Sequence, residues 1–80
     1  MIIYGSMMCP DCVACREALD QVGVQYEFLD FAQNLKNLKE FLVLRDQNEI
    51  FEPVKAAGKI GIPCIVLPNG IVKFDWQDMV

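Results

Sequence analysis

The apolar positions of the chain change rhythm several times, and each change marks an element. Ile2–Tyr4 is an unbroken apolar run closed by Gly5, which predicts a short buried strand. Pro10 then suits the first turn of a helix, with Cys9 just before it. From there Cys12, Cys15, Leu19 and Val22 recur at helical spacing beside Ala14 and Ala18, and Gly23 supplies a stop. The stretch "QYEFL" (Gln25–Leu29) alternates, placing Tyr26 and Phe28 on one face of a second strand.

Asn34 is suited to cap a helix carrying Leu35, Leu38, Phe41 and Leu42, which "RDQNE" should interrupt. A shorter helix with Phe51, Val54 and Ala57 should end near Gly58, its start obscured by Pro53, which lacks a backbone donor. "GIPCIVLPNGIVKF" reads as two strands around a turn at Pro68–Gly70, and "DWQDMV" as one more helical turn capped by Asp75. The expected order is β-α-β-α-β-β-α. The first crossover predicts a right-handed parallel pair and the "LPNGI" turn an antiparallel one. A small mixed four-stranded α/β sheet with helices on both faces follows.

Composition narrows what such a fold could do. Eighty residues, 54% apolar and 22% charged, suit one compact domain over residues 1–80. Seven basic against 11 acidic residues leave a net charge of −4, which argues against nucleic acid and anionic membranes as partners. No apolar run approaches the roughly 20 residues of a membrane span. "MIIYGSMMC" lacks a basic segment followed by an apolar one, so a cytoplasmic location is expected.

In that compartment clustered cysteines read as redox or metal chemistry. Cys9, Cys12 and Cys15 lie within seven residues, and Cys64 directly follows Pro63. Two thiols separated by two residues at a helix start close a disulfide with little rearrangement. Cys9, at or near the N-cap, would face unpaired N–H groups and the positive end of the helix dipole, which favour a thiolate. Asp11 opposes that charge, and Arg16, the nearest cation, is expected to face solvent. Cys12 should be less exposed, which divides the labour into attack by Cys9 and resolution by Cys12. Cys15 and Cys64 read as small core residues. The alternative is a zinc or iron–sulfur carrier using Cys9, Cys12 and Cys64, and a third reading is a binding adaptor without turnover. Met7 and Met8 offer an apolar rim for a partner peptide, while Phe74 and Trp76 read as a capping contact.

"CPDC" and "GIPCIV" together resemble the glutaredoxins of the thioredoxin-like fold, whose CPxC site and cis-proline strand they match; the resemblance spans essentially the whole chain. It implies a thiol–disulfide oxidoreductase with Cys9 as nucleophile, Cys12 as resolving thiol and Pro63 as the cis-proline, while the Ile62 backbone pairs with a bound thiol peptide. The implied substrates are disulfide-bearing proteins or small thiols. Glutathione or a thioredoxin reductase would be the reductant, with no resident cofactor and a monomeric chain; "DWQDM" is similar to glutaredoxin-like proteins served by that reductase. Asp75 matches the family's acidic cap over glutathione, and Lys73, Asp75 and Met8 complete the expected substrate contacts. "YGSMM" carries no lysine ahead of the first cysteine, and Lys73–Phe74 stand where many members have a glycine pair. Weaker glutathione binding is therefore expected.

Overall fold

The computed structural model describes all 80 residues. Strand β1 (Ile2–Gly5) leads through helix α1 (Pro10–Gln21) to β2 (Glu27–Asp30) and helix α2 (Leu35–Gln47). A 3₁₀ turn (Glu49–Phe51) runs into the short helix α3 (Glu52–Ala56). Strands β3 (Cys64–Val66) and β4 (Val72–Lys73) follow, and a 3₁₀ turn (Gln77–Met79) stands where a last helix was expected. The sheet order is β2-β1-β3-β4. β1 pairs parallel with β2 and antiparallel with β3, and β3 pairs antiparallel with β4.

Alternation along the strands sorts the core into two layers. Ile3 and Ile65 are directly paired and share one face with Cys15 and Leu19 of α1. Tyr4 and Cys64, the next pair, turn to the other face. There Cys64 and Val72 meet Phe41 of α2 and Phe51. Helices thus cover both faces, as the element order predicts. Phe28 pairs with Ile3 and, like Tyr26, packs on the α1 layer.

Local chemistry explains where the elements stop. α1 ends one residue before Val22, which is 53% exposed rather than part of the apolar stripe. Gly23 at φ +75° turns the chain. The Val24 N–H then donates to the Leu19 carbonyl and the Gly23 N–H to that of Asp20, satisfying the last turn. The Asn34 side chain accepts from the Lys36 N–H at 2.8 Å and opens α2 as expected. The "RDQ" residues do not interrupt α2. They are helix-compatible, and the break falls at Asn48, whose side chain accepts from the Ile50 N–H and caps the next turn. Pro53 sits in the first turn of α3, where its missing donor costs nothing. Asp75 caps no helix; Trp76 holds the capping position of the final turn without a side-chain cap.

Candidate active site

The segment between β1 and α1 is tied down before it reaches Cys9. The Ser6 hydroxyl accepts from the Met8 N–H at 3.1 Å, and the Ser6 carbonyl accepts from the Cys9 N–H at 3.0 Å. Cys9 is the N-cap of α1, extended at φ −94° and ψ 120°, and its carbonyl accepts from the Val13 N–H. Its thiol makes no capping hydrogen bond and is half-buried, whereas Cys12, inside the first turn, is 0% exposed. Burial pushes the Cys12 thiol up to about 12; the adjacent Cys9 adds to this and the Ser6 backbone partly opposes it.

Gly5 makes room for that buried sulfur. A Cβ there would stand 2.7 Å from Cys12 Sγ and 3.2 Å from the Phe28 ring. Cys15 is equally buried, with Ile3, Leu19 and Ile65, and burial pushes its thiol up to about 11. It is not placed to pair with Cys12. Two helical residues three apart hold their Cβ atoms about 5–6 Å apart, beyond the roughly 3.5–4.5 Å a disulfide needs. Cys9 escapes that limit because its backbone is not helical.

Arg16 does not face solvent. Its guanidinium lies 4.5 Å from the Phe28 ring centre and donates to Met7 Sδ and the Tyr26 hydroxyl, both at 3.3 Å. The Tyr26 hydroxyl donates in turn to Asp20 at 2.7 Å. Met7 is thereby anchored to the flank of α1, leaving Met8, 88% exposed, as the apolar rim.

A cleft of about 810 Å³ opens beside Cys9. Met8, Cys9 and Asp11 line it, facing Lys59–Pro63 and Phe74–Gln77. The Ile62–Pro63 bond is cis, and neither the N–H nor the C=O of Ile62 bonds to another backbone group. The 59–63 wall is held from behind. Arg45 in the last turn of α2 donates to the carbonyls of Lys59 (2.8 Å) and Ile60 (3.0 Å). Gly61, at φ +96°, presses so close to Phe51 that a Cβ would stand 2.9 Å from its ring.

The cleft thus gathers Cys9, Met8, Ile62, Pro63 and Asp75, but not Lys73. Lys73 pairs in register with Ile65 and so projects toward the α1 face, where its ammonium bridges to Asp78. Cys64 is also elsewhere. Strand alternation buries it among Phe41, Phe51 and Val72, and burial pushes its thiol up to about 12. Cys9, Cys12 and Cys64 therefore do not converge, and no three His, Cys, Asp or Glu side chains gather where they could hold a metal ion. Sequence reasoning missed Lys59 and Ile60 as lining residues, although "GKIGIP" puts both within four residues of Pro63. It also gave Trp76 only a structural role, whereas that side chain both packs on the α1 layer and lines the cleft. Arg45 had no sequence signal, since its partners lie 14 and 15 residues away.

The family model described as Glutaredoxin matches residues 1–72. The chain belongs to the glutaredoxin family. This glutaredoxin is similar to an uncharacterized protein of Haemophilus influenzae, with 40% identity over 74 residues, covering 92% of this chain and 86% of that one. No solved structure matches it. Family membership and the closely spaced Cys9–Cys12 pair make it a thiol–disulfide oxidoreductase. No helix of this glutaredoxin is long and apolar enough to cross a membrane.

Proposed function

We propose that this glutaredoxin reduces disulfides by a two-thiol exchange in which Cys9 attacks and Cys12 resolves. The observation that carries this reading is the asymmetry of the pair: Cys9 lines the cleft, and Cys12 is sealed behind it. The Cys9 thiolate attacks one sulfur of the substrate disulfide and forms a mixed disulfide, and the other sulfur leaves as a thiolate. Burial keeps Cys12 protonated at rest, and it gives up that proton as its sulfur attacks Cys9 Sγ. The Cys9–substrate bond breaks, the Cys9–Cys12 disulfide forms, and the Cys12 proton ends on the released substrate thiol. Glutathione or a reductase such as thioredoxin reductase returns two electrons to the pair. The free N–H and C=O of Ile62 support docking of an extended substrate backbone against the 59–63 wall.

The test is limiting iodoacetamide on the reduced protein near neutral pH, read by mass spectrometry. The label is expected first on Cys9, with Cys12, Cys15 and Cys64 protected. A Cys12→Ser variant is expected to accumulate the mixed disulfide. Preferential labelling of Cys12 reverses the roles.

A further inference from the structure

The reactive thiol sits in a mixed cleft that carries several large apolar side chains on its walls. Ile60 projects into it at 57% exposure and Met8 at 88%. Val54, Phe74 and Trp76 line the same space. Phe74 is braced edge-on by Phe51, with ring centres 5.1 Å apart, so that side of the cleft is a fixed surface. Exposed apolar side chains grouped beside a reactive centre mark a docking surface. The charged groups point the same way. Asp11 and Asp75 enter the cleft without an ion-pair partner, against the single ammonium of Lys59. Glutathione brings two carboxylates, one ammonium and no large apolar side chain. It meets a net negative cleft and leaves the apolar walls unused.

Resting on the two-thiol reading above, we propose that this cleft selects polypeptide disulfides whose cysteine is flanked by a large apolar residue, in preference to glutathione disulfides. The Ile62 N–H and C=O give the polypeptide backbone its register. Ile60, Phe74 and Trp76 cover the flanking side chain, and the sulfur is delivered to Cys9.

Single-turnover kinetics test this with three substrates that share one leaving group, 5-thio-2-nitrobenzoate. They are mixed disulfides of an uncharged pentapeptide with leucine on either side of its cysteine, of the same peptide with serine in those places, and of glutathione. Attack of Cys9 on the peptide or glutathione sulfur expels the coloured thiolate, and Cys12 then releases the reduced thiol, so no added reductant is needed. Covering one leucine-sized side chain corresponds to about tenfold or more in rate constant. The expected order is leucine-flanked, then serine-flanked, then glutathione, with about tenfold between the first two. In an Ile60→Ser variant, altered at an exposed position, the leucine-to-serine ratio is expected to fall severalfold. That ratio is internal to each preparation, so loss of active protein cancels. Equal rate constants for all three substrates, or glutathione fastest, overturn the selectivity and leave the two-thiol reading standing. A leucine-to-serine ratio unchanged in Ile60→Ser overturns the assignment of the wall. No coloured thiolate from any substrate overturns both readings.

Discussion

The two faces of the sheet are built from different material. On the α1 face, the fully buried centre is aliphatic and sulfur-bearing, with Ile3, Cys15, Leu19 and Ile65 and with Cys12 beside Gly5, while Tyr26, Phe28 and Trp76 stand only at its partly buried margin. On the α2 face it is aromatic. Tyr4 and Phe31 lie against Phe41, Phe41 against Phe51, and Phe51 against Phe74, with ring centres 5.1 to 6.1 Å apart. The chemistry belongs to the first face and the shape of the cleft to the second. Small residues let a helix carrying thiols approach the sheet closely. Large rings, each fixed by the next, carry rigidity from α2 across to Phe74 and Gly61 at the cleft.

The comparison fails most visibly if the aromatic face proves dispensable. Phe51→Ala should cost about 3–5 kcal/mol, because it removes a fully buried ring that touches both Phe41 and Phe74. Urea unfolding checks this, and a cost below that of an ordinary surface change would mean that the ring chain is not structural. On the thiol face the sensitive change is an added methyl group. Gly5→Ala should destabilise the reduced protein by about 1–3 kcal/mol, since the new Cβ meets Cys12 Sγ at 2.7 Å. If the sulfur is displaced outward, iodoacetamide should also label Cys12 faster than in the parent.

Smaller still is the outer clamp of the aromatic side. Arg45→Met removes two partly exposed hydrogen bonds, about 1 kcal/mol together. Its clearest reporter is trypsin: freeing the Lys59 carbonyl should speed cleavage after Lys59 severalfold while cleavage after Lys36 stays as before. The smallest effect belongs to the exposed Lys73–Asp78 pair. Its hydrogen bond to the Lys73 ammonium holds the Asp78 carboxyl below its ordinary value of 3.8. Any stability it lends is therefore full above 3.8 and is lost as the pH falls further. Thermal melts of Asp78→Asn and its parent should differ slightly at neutral pH and converge in stronger acid.

Much of this was legible beforehand because it rests on local rules. An unbroken apolar run located β1, and period-3.6 and period-2 patterns located α1 and β2. Asn34 announced its helix, and the "CPDC" and "GIPCIV" segments marked the two sides of the cleft. The failures have a common cause. Which way Lys73 points depends on its pairing with Ile65 in a strand of two residues, too short for any pattern to show. Val22 kept helical spacing, but Gly23 diverts the chain before that spacing can apply. Arg45, Asp46 and Gln47 looked like a loop because they are polar. They continue a helix that ends only where Asn48 takes an extended conformation. The hold of Arg45 on the back of the cleft wall depends on a contact between distant segments, which no local pattern encodes.

The position of β1 in the middle of the sheet has a consequence for how the chain is made. Its parallel partner β2 is complete by Asp30, but its antiparallel partner β3 ends only at Val66. As the chain leaves the ribosome, β1, α1 and β2 are available while one long side of β1 has nothing to pair with, an open edge that invites contact with other chains. Ile65, which completes the layer around Cys15, is made only after β1, α1 and β2. Until β3 is made, the layer that covers Cys15 in the finished protein is incomplete. The burial that pushes the Cys15 thiol up is therefore completed only when β3 joins the sheet.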